Sequence, residues 1–127
     1  MRVSPIAILC SVKLPNAERA IVPKEKITRY LLNLDHEAGH GKAKFFIRCG
    51  YQPEQWEILQ EALFRHAAAH EVMDEELTQY GKKYIIEGHL QAPNARSYLV
   101  RTVWMIDEDK DFPELKTAYP CEERRRR

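Results

Sequence analysis

The 127-residue chain is short of the features that would mark a specialised class of protein. It has only three cysteines, Cys10, Cys49 and Cys121, with no short pairing between them, so a disulfide-stapled secreted mini-domain is excluded and a reduced compartment is expected. No apolar run reaches the length of a membrane span or a signal peptide core, so a cytoplasmic chain without a membrane partner is expected. No internal repeat is visible. The formal net charge is only +1, which excludes the global basic field that many nucleic-acid binders carry.

What is present is unevenly spread. Between Lys13 and Arg48 eight Lys/Arg stand against four Asp/Glu, a net +4 (8 − 4), whereas Glu54 to Glu76 holds one Arg against seven acids, a net −6 (1 − 7). One compact domain of this size can therefore show a basic and an acidic face. Residues 1–120 are read as that single domain and 121–127 as a basic tail ending in four arginines.

The hydrophobic pattern changes period midway. Pro23 suits a first helical position, and Ile27, Tyr30, Leu31 and Leu34 recur at helical spacing, which predicts a helix over about 24–33. A short helix is predicted over about 42–49, stopped by Gly50. Pro53 opens the third and longest helix, with Trp56, Leu59, Leu63, Ala67 and His70 on one stripe and acids on the other face. After Tyr80-Gly81 the period becomes two: strands are predicted over 83–90 and 97–106, joined by Ala92-Pro93-Asn94-Ala95, with a last strand over 115–119 closed by Pro120. Helices first and antiparallel strands second give an α+β fold, with helices on one face of a three- or four-stranded sheet and the other face open. Strand alternation puts Arg101 and Trp104 on opposite faces, and Trp104 is assigned to the core.

The most reactive stretch is Asp35-His36-Glu37-Ala38-Gly39-His40-Gly41-Lys42-Ala43-Lys44-Phe45-Phe46, a glycine-bearing loop running into the short helix. Imidazoles titrate near neutral pH, lysines hold negative charge, and glycines and a helix start admit an anion to the backbone. These are the requirements of a phosphate.

The loop, with Tyr80-Gly81-Lys82-Lys83-Tyr84, Val100-Arg101-Thr102-Val103-Trp104 and Leu115-Lys116-Thr117-Ala118-Tyr119-Pro120, resembles a small bacterial domain family whose members tend to be encoded beside a short antitoxin-like gene. The layout also resembles the barnase/EndoU/colicin/RelE-like ribonucleases. That resemblance implies a metal-independent endoribonuclease toxin without cofactor, acting on RNA and neutralised by a cognate small antitoxin protein. Such chemistry needs a base for the 2′-OH, a cation for the phosphate and an acid for the leaving oxygen. The implied catalytic set is His36 as base or acid, Lys42 on the phosphate, Arg101 and Thr117 contacting phosphate oxygens, and Tyr119 donating a proton or stacking on a base. Lys44, Arg96, Arg124 and Arg125 are the implied RNA-binding cations. The family pattern carries prolines near Leu34 and Glu37 and a glycine near Ala95, and this chain lacks all three.

Each assignment has a plainer rival. His36 can be an ordinary loop histidine, Lys42 a solvated helix-start lysine, and Arg101 a partner of Glu87 across strands. Two histidine pairs, His36/His40 and His66/His70, with Cys49, raise the possibility of zinc, but the first pair spans two glycines and no acid follows the second in a metalloprotease arrangement, so no metal is assigned. A non-catalytic RNA- or protein-binding module with the same fold is the alternative function.

Overall fold

The structure is a computed structural model that describes residues 13–37 and 40–121. Gly39 of the loop, Cys10, Arg124 and Arg125 lie outside the described residues.

Among the described residues the helical half has three helices longer than a single 3₁₀ turn. α1 begins as an α-turn, Lys24–Lys26, set up by the extended backbone of Pro23, and continues as a π-helical stretch, Ile27–Leu31. The widening shows in the Leu32 N–H donating to the Ile27 carbonyl at 2.8 Å, five residues back. Ile27 and Leu31 are fully buried, which is the apolar stripe the sequence announces. α2, His40–Arg48, buries Ala43, Phe45 and Phe46. It stops at Gly50, whose φ of +110° is open to glycine at little cost, as expected. After a 3₁₀ turn at Pro53–Gln55, α3 spans Trp56–Ala69 and buries Leu59, Leu63, His66 and Ala67.

The second half is a four-stranded antiparallel sheet in sequential order: β1 Val72–Thr78, β2 Gly81–Gln91, β3 Ser97–Asp107 and β4 Glu114–Pro120. β1 is the addition to the sequence reading, which began the sheet only after Gly81. Its side chains are exposed or half-buried throughout, so it lacks the alternation that reveals a half-buried strand. The turn back into β2 requires Gly81, at φ +148°, where an added Cβ would collide with the Ile106 carbonyl.

Tyr84, Ile86, Val100, Thr102, Trp104, Leu115 and Ala118 turn inward against the helices. Trp104 has no exposed surface, and its indole N–H donates to Thr102 Oγ1 at 2.9 Å. In β3 the alternation places Arg101, Val103 and Met105 on the opposite face, half-buried, as expected for Arg101 outward and Trp104 inward.

The β2–β3 turn carries a local cost. Ala95 sits at φ +72°, a conformation that L side chains with a Cβ adopt reluctantly. Ala95→Gly is expected to stabilise the protein by about 1 kcal/mol in urea unfolding, the relief of one left-handed residue; a loss of stability would show that the turn is not held in this form.

Candidate functional site

The site is built where the helical half meets the β4 edge. Tyr30, in the last turn of the π-helical stretch, is half-buried, its hydroxyl 3.3 Å from Thr117 Oγ1 on β4. The loop after α1 brings His36 edge-on to the Tyr30 ring, with centroids 5.0 Å apart and planes at 77°. An Asx-type turn shapes that loop, with the Asp35 N–H donating to Asn33 Oδ1 at 2.9 Å. In the first turn of α2, the Lys42 ammonium lies 5.3 Å from the Tyr30 ring centroid, close enough for its charge to act on the phenol. Lys26 approaches the same ring, 5.2 Å from its centroid. Three of the implied catalytic residues, His36, Lys42 and Thr117, therefore meet around one phenol.

That phenol is electrostatically unusual. Partial burial is the largest single influence and raises its pKa, but the nearby Lys42 ammonium, the contact with the Thr117 hydroxyl and the charge of Lys26 together outweigh it, so Tyr30 ionises more readily than an ordinary tyrosine. An acid loosened by neighbouring ammonium groups is suited to giving up a proton. Tyr30 was absent from the sequence-derived set because its helical spacing assigns it to the core stripe.

A second cluster lies on the open face of the sheet. Cross-strand register sets Glu87 opposite Arg101 and Arg101 opposite Tyr119. Arg101 Nη2 donates to Glu87 Oε1 at 2.7 Å, and Tyr119 stands across from Arg101 on the neighbouring strand. Glu87 first and Tyr119 second hold the guanidinium still more firmly protonated than usual. Its Nε–H has no partner among the described residues. Arg101 thus has both its outward position and the cross-strand pair that rivalled a functional role. Thr117 and Tyr119 are two residues apart on one strand face, about 7 Å, which links the two clusters into one strip.

The remaining implied residues stand apart. Lys44 is exposed on α2, and Arg96 is exposed in the β2–β3 turn. His40 is held by the chain itself, its Nδ1 2.9 Å from the Leu34 carbonyl.

His66 of α3 and His70 just past its end have a structural occupation. His66 Nε2 lies 3.0 Å from the Gly88 carbonyl and 2.9 Å from that of Val100, so this nitrogen carries the proton and donates to strands β2 and β3. His70 Nδ1 donates to the His66 carbonyl at 2.9 Å. No group of three or more metal-ligating side chains converges among the described residues. Burial, foremost, holds the His66 pKa below its usual value, against the two carbonyl bonds that raise it. The unfolded chain therefore takes up a proton at a higher pH than the folded one, so stability is present above about pH 6.5 and lost as pH falls towards the folded pKa. Urea midpoints measured from pH 7.5 to 5 are expected to fall, and to fall less in His66→Gln; parallel slopes would reject His66 as the cause.

Comparison with known proteins adds the following. A chain in the contact-dependent growth inhibition toxin–immunity protein complex from Klebsiella pneumoniae 342 has a similar fold, with a TM-score of 0.67 and 14% sequence identity over 84% of this chain and 97% of that one. No curated protein matches in sequence. Among the described residues no helix is long and apolar enough to cross a membrane. A family model covers residues 13–122, from the first described residues past the end of β4, and the chain belongs to that family, described as a domain of unknown function (DUF6883).

Proposed function

We propose that the protein is a metal-independent endoribonuclease toxin whose reacting phosphate lies beside Tyr30, His36, Lys42 and Thr117. The convergence of an imidazole, an ammonium and an acidified phenol within one shell carries this reading. In the reaction, His36 accepts the 2′-OH proton, and the freed oxygen attacks the adjacent phosphorus. Lys42 offsets the charge that builds on the phosphate oxygens, and Thr117 hydrogen-bonds one of them. Tyr30 donates its proton to the departing 5′ oxygen. The products are a 2′,3′-cyclic phosphate and a free 5′-hydroxyl, so atoms and charge balance without an external reactant. Arg101 and Tyr119 extend the anion-binding strip along the open face. A small cognate protein covering the strip would neutralise the toxin, a reading supported by the fold's likeness to a chain of a toxin–immunity complex.

Purified protein incubated with total RNA in excess EDTA is expected to shorten it, leaving cyclic-phosphate ends, while His36→Ala leaves the RNA intact. Intact RNA with both proteins, or equal cleavage by both, rejects the assignment. One observation favours the alternative of a non-catalytic binding module: Glu87 already occupies Arg101. That reading predicts salt-dependent RNA binding without cleavage and indifference to His36→Ala.

A further inference from the structure

α2 connects the proposed reaction centre to a second cavity. Lys42, Phe45 and Arg48 follow one another at i, i+3 and i+6, a stripe spanning about 9 Å of helix. Lys42 stands at Tyr30, whereas Phe45 and Arg48 line a cavity of about 430 Å³ with Ser97, Tyr98, Leu99, Pro120 and Cys121. The volume lies within the range of small-molecule sites, roughly 300–1,000 Å³. β4 runs the same way as this stripe, from Thr117 beside Tyr30 to Pro120 and Cys121 at the cavity.

The lining is held ready. Phe45 meets Tyr98 edge-to-face, with centroids 5.3 Å apart and planes at 85°. Asn94 Nδ2 donates to the Tyr98 hydroxyl at 2.8 Å, and the Cys121 N–H donates to the Leu99 carbonyl at 2.9 Å. The Asn94 N–H also donates to the Cys49 carbonyl at 3.1 Å, tying the β2–β3 turn to the end of α2. Arg48 is exposed and has no ion pair with any described residue. A half-buried aromatic ring offers a stacking surface, and a guanidinium offers two donors to a planar acceptor edge.

We infer that this cavity is a nucleobase subsite. It takes the base of a nucleotide flanking the reacting phosphate, stacked at Tyr98, with Arg48 donating to the acceptor edge that guanine presents. The inference rests on the ribonuclease reading for its role in cleavage, but base binding can be measured separately. Guanosine 3′-monophosphate is expected to shift the Tyr98 ring resonances and to bind at least tenfold more tightly than ribose 5-phosphate, which lacks the base. Tyr98→Ala and the exposed-site variant Arg48→Ala are each expected to weaken nucleotide binding about tenfold, the latter without touching the Phe45–Tyr98 packing. Equal binding of guanosine 3′-monophosphate and ribose 5-phosphate overturns the subsite, as does unchanged nucleotide binding in both variants. Nucleotide binding at Tyr98 by a protein that leaves RNA intact upholds the subsite and rejects the ribonuclease. RNA cleaved with the same base preference by wild type and both variants rejects the subsite and leaves the ribonuclease standing.

Discussion

On the proposed ribonuclease reading, Tyr30→Phe is expected to slow RNA cleavage at least about 100-fold, the low end of what a positioned proton donor contributes. The substitution keeps the ring, and with it the edge contact to His36 and the approach of Lys42 and Lys26, so it removes the hydroxyl and its contact with Thr117 but little packing. Cleavage by the wild type should also fall with rising pH as the phenol ionises, with a limb below the ordinary tyrosine value of 10, because the nearby Lys42 and Lys26 ammonium groups and the Thr117 hydroxyl outweigh partial burial. Phenolate absorbance, taken as the difference between wild type and Tyr30→Phe, reports the same ionisation independently; Lys42→Ala should move it upward. An unchanged cleavage rate in Tyr30→Phe, with the folded state intact, would remove Tyr30 from the chemistry.

Trp104→Ala is expected to have the largest effect on stability, about 3–5 kcal/mol, as for other buried tryptophans. Trp104 has no exposed surface, lies opposite Tyr84 on β2 and Leu115 on β4, and is fixed by its bond to Thr102. Truncation opens a cavity at the centre of the sheet's inner face and leaves the buried Thr102 hydroxyl without its donor. Against a total of roughly 5–15 kcal/mol for a domain of ordinary stability, that is a large share, and the urea midpoint should drop accordingly. A cost below about 1 kcal/mol would contradict the packing described here.

These two positions show what the sequence carries and what it hides. Trp104 inward and Arg101 outward follow from strand alternation, which is a local rule, and the helix stop at Gly50 follows from local backbone sterics. The Ala92–Ala95 turn was legible from Pro93-Asn94, and the glycine of the family pattern near Ala95 pointed to the position whose positive φ an alanine adopts reluctantly. β1 escaped because a strand exposed on both faces shows no period. Tyr30 escaped for a different reason: its spacing is that of a core residue, and only the fold brings Lys42 and Thr117 to its hydroxyl. The pairing of Glu87 with Arg101 was legible from opposite charges on adjacent strands, whereas its link to Tyr119 required the β3–β4 register, which a bulge between Val103 and Trp104 offsets.

The π-helical stretch before the loop gives the site a dependence on chain length. Each residue of a regular helix turns its successors by about 100°, so a one-residue deletion within Ile27–Leu31 that restored ordinary α spacing would rotate one side of the cut against the other by that angle. Ile27 and Leu31 are both fully buried, and the core would hold one of them only by swinging Tyr30 away from Thr117. The extra width of that turn acts as a spacer: it lets one short segment anchor the hydrophobic interior and still deliver a hydroxyl to the sheet edge.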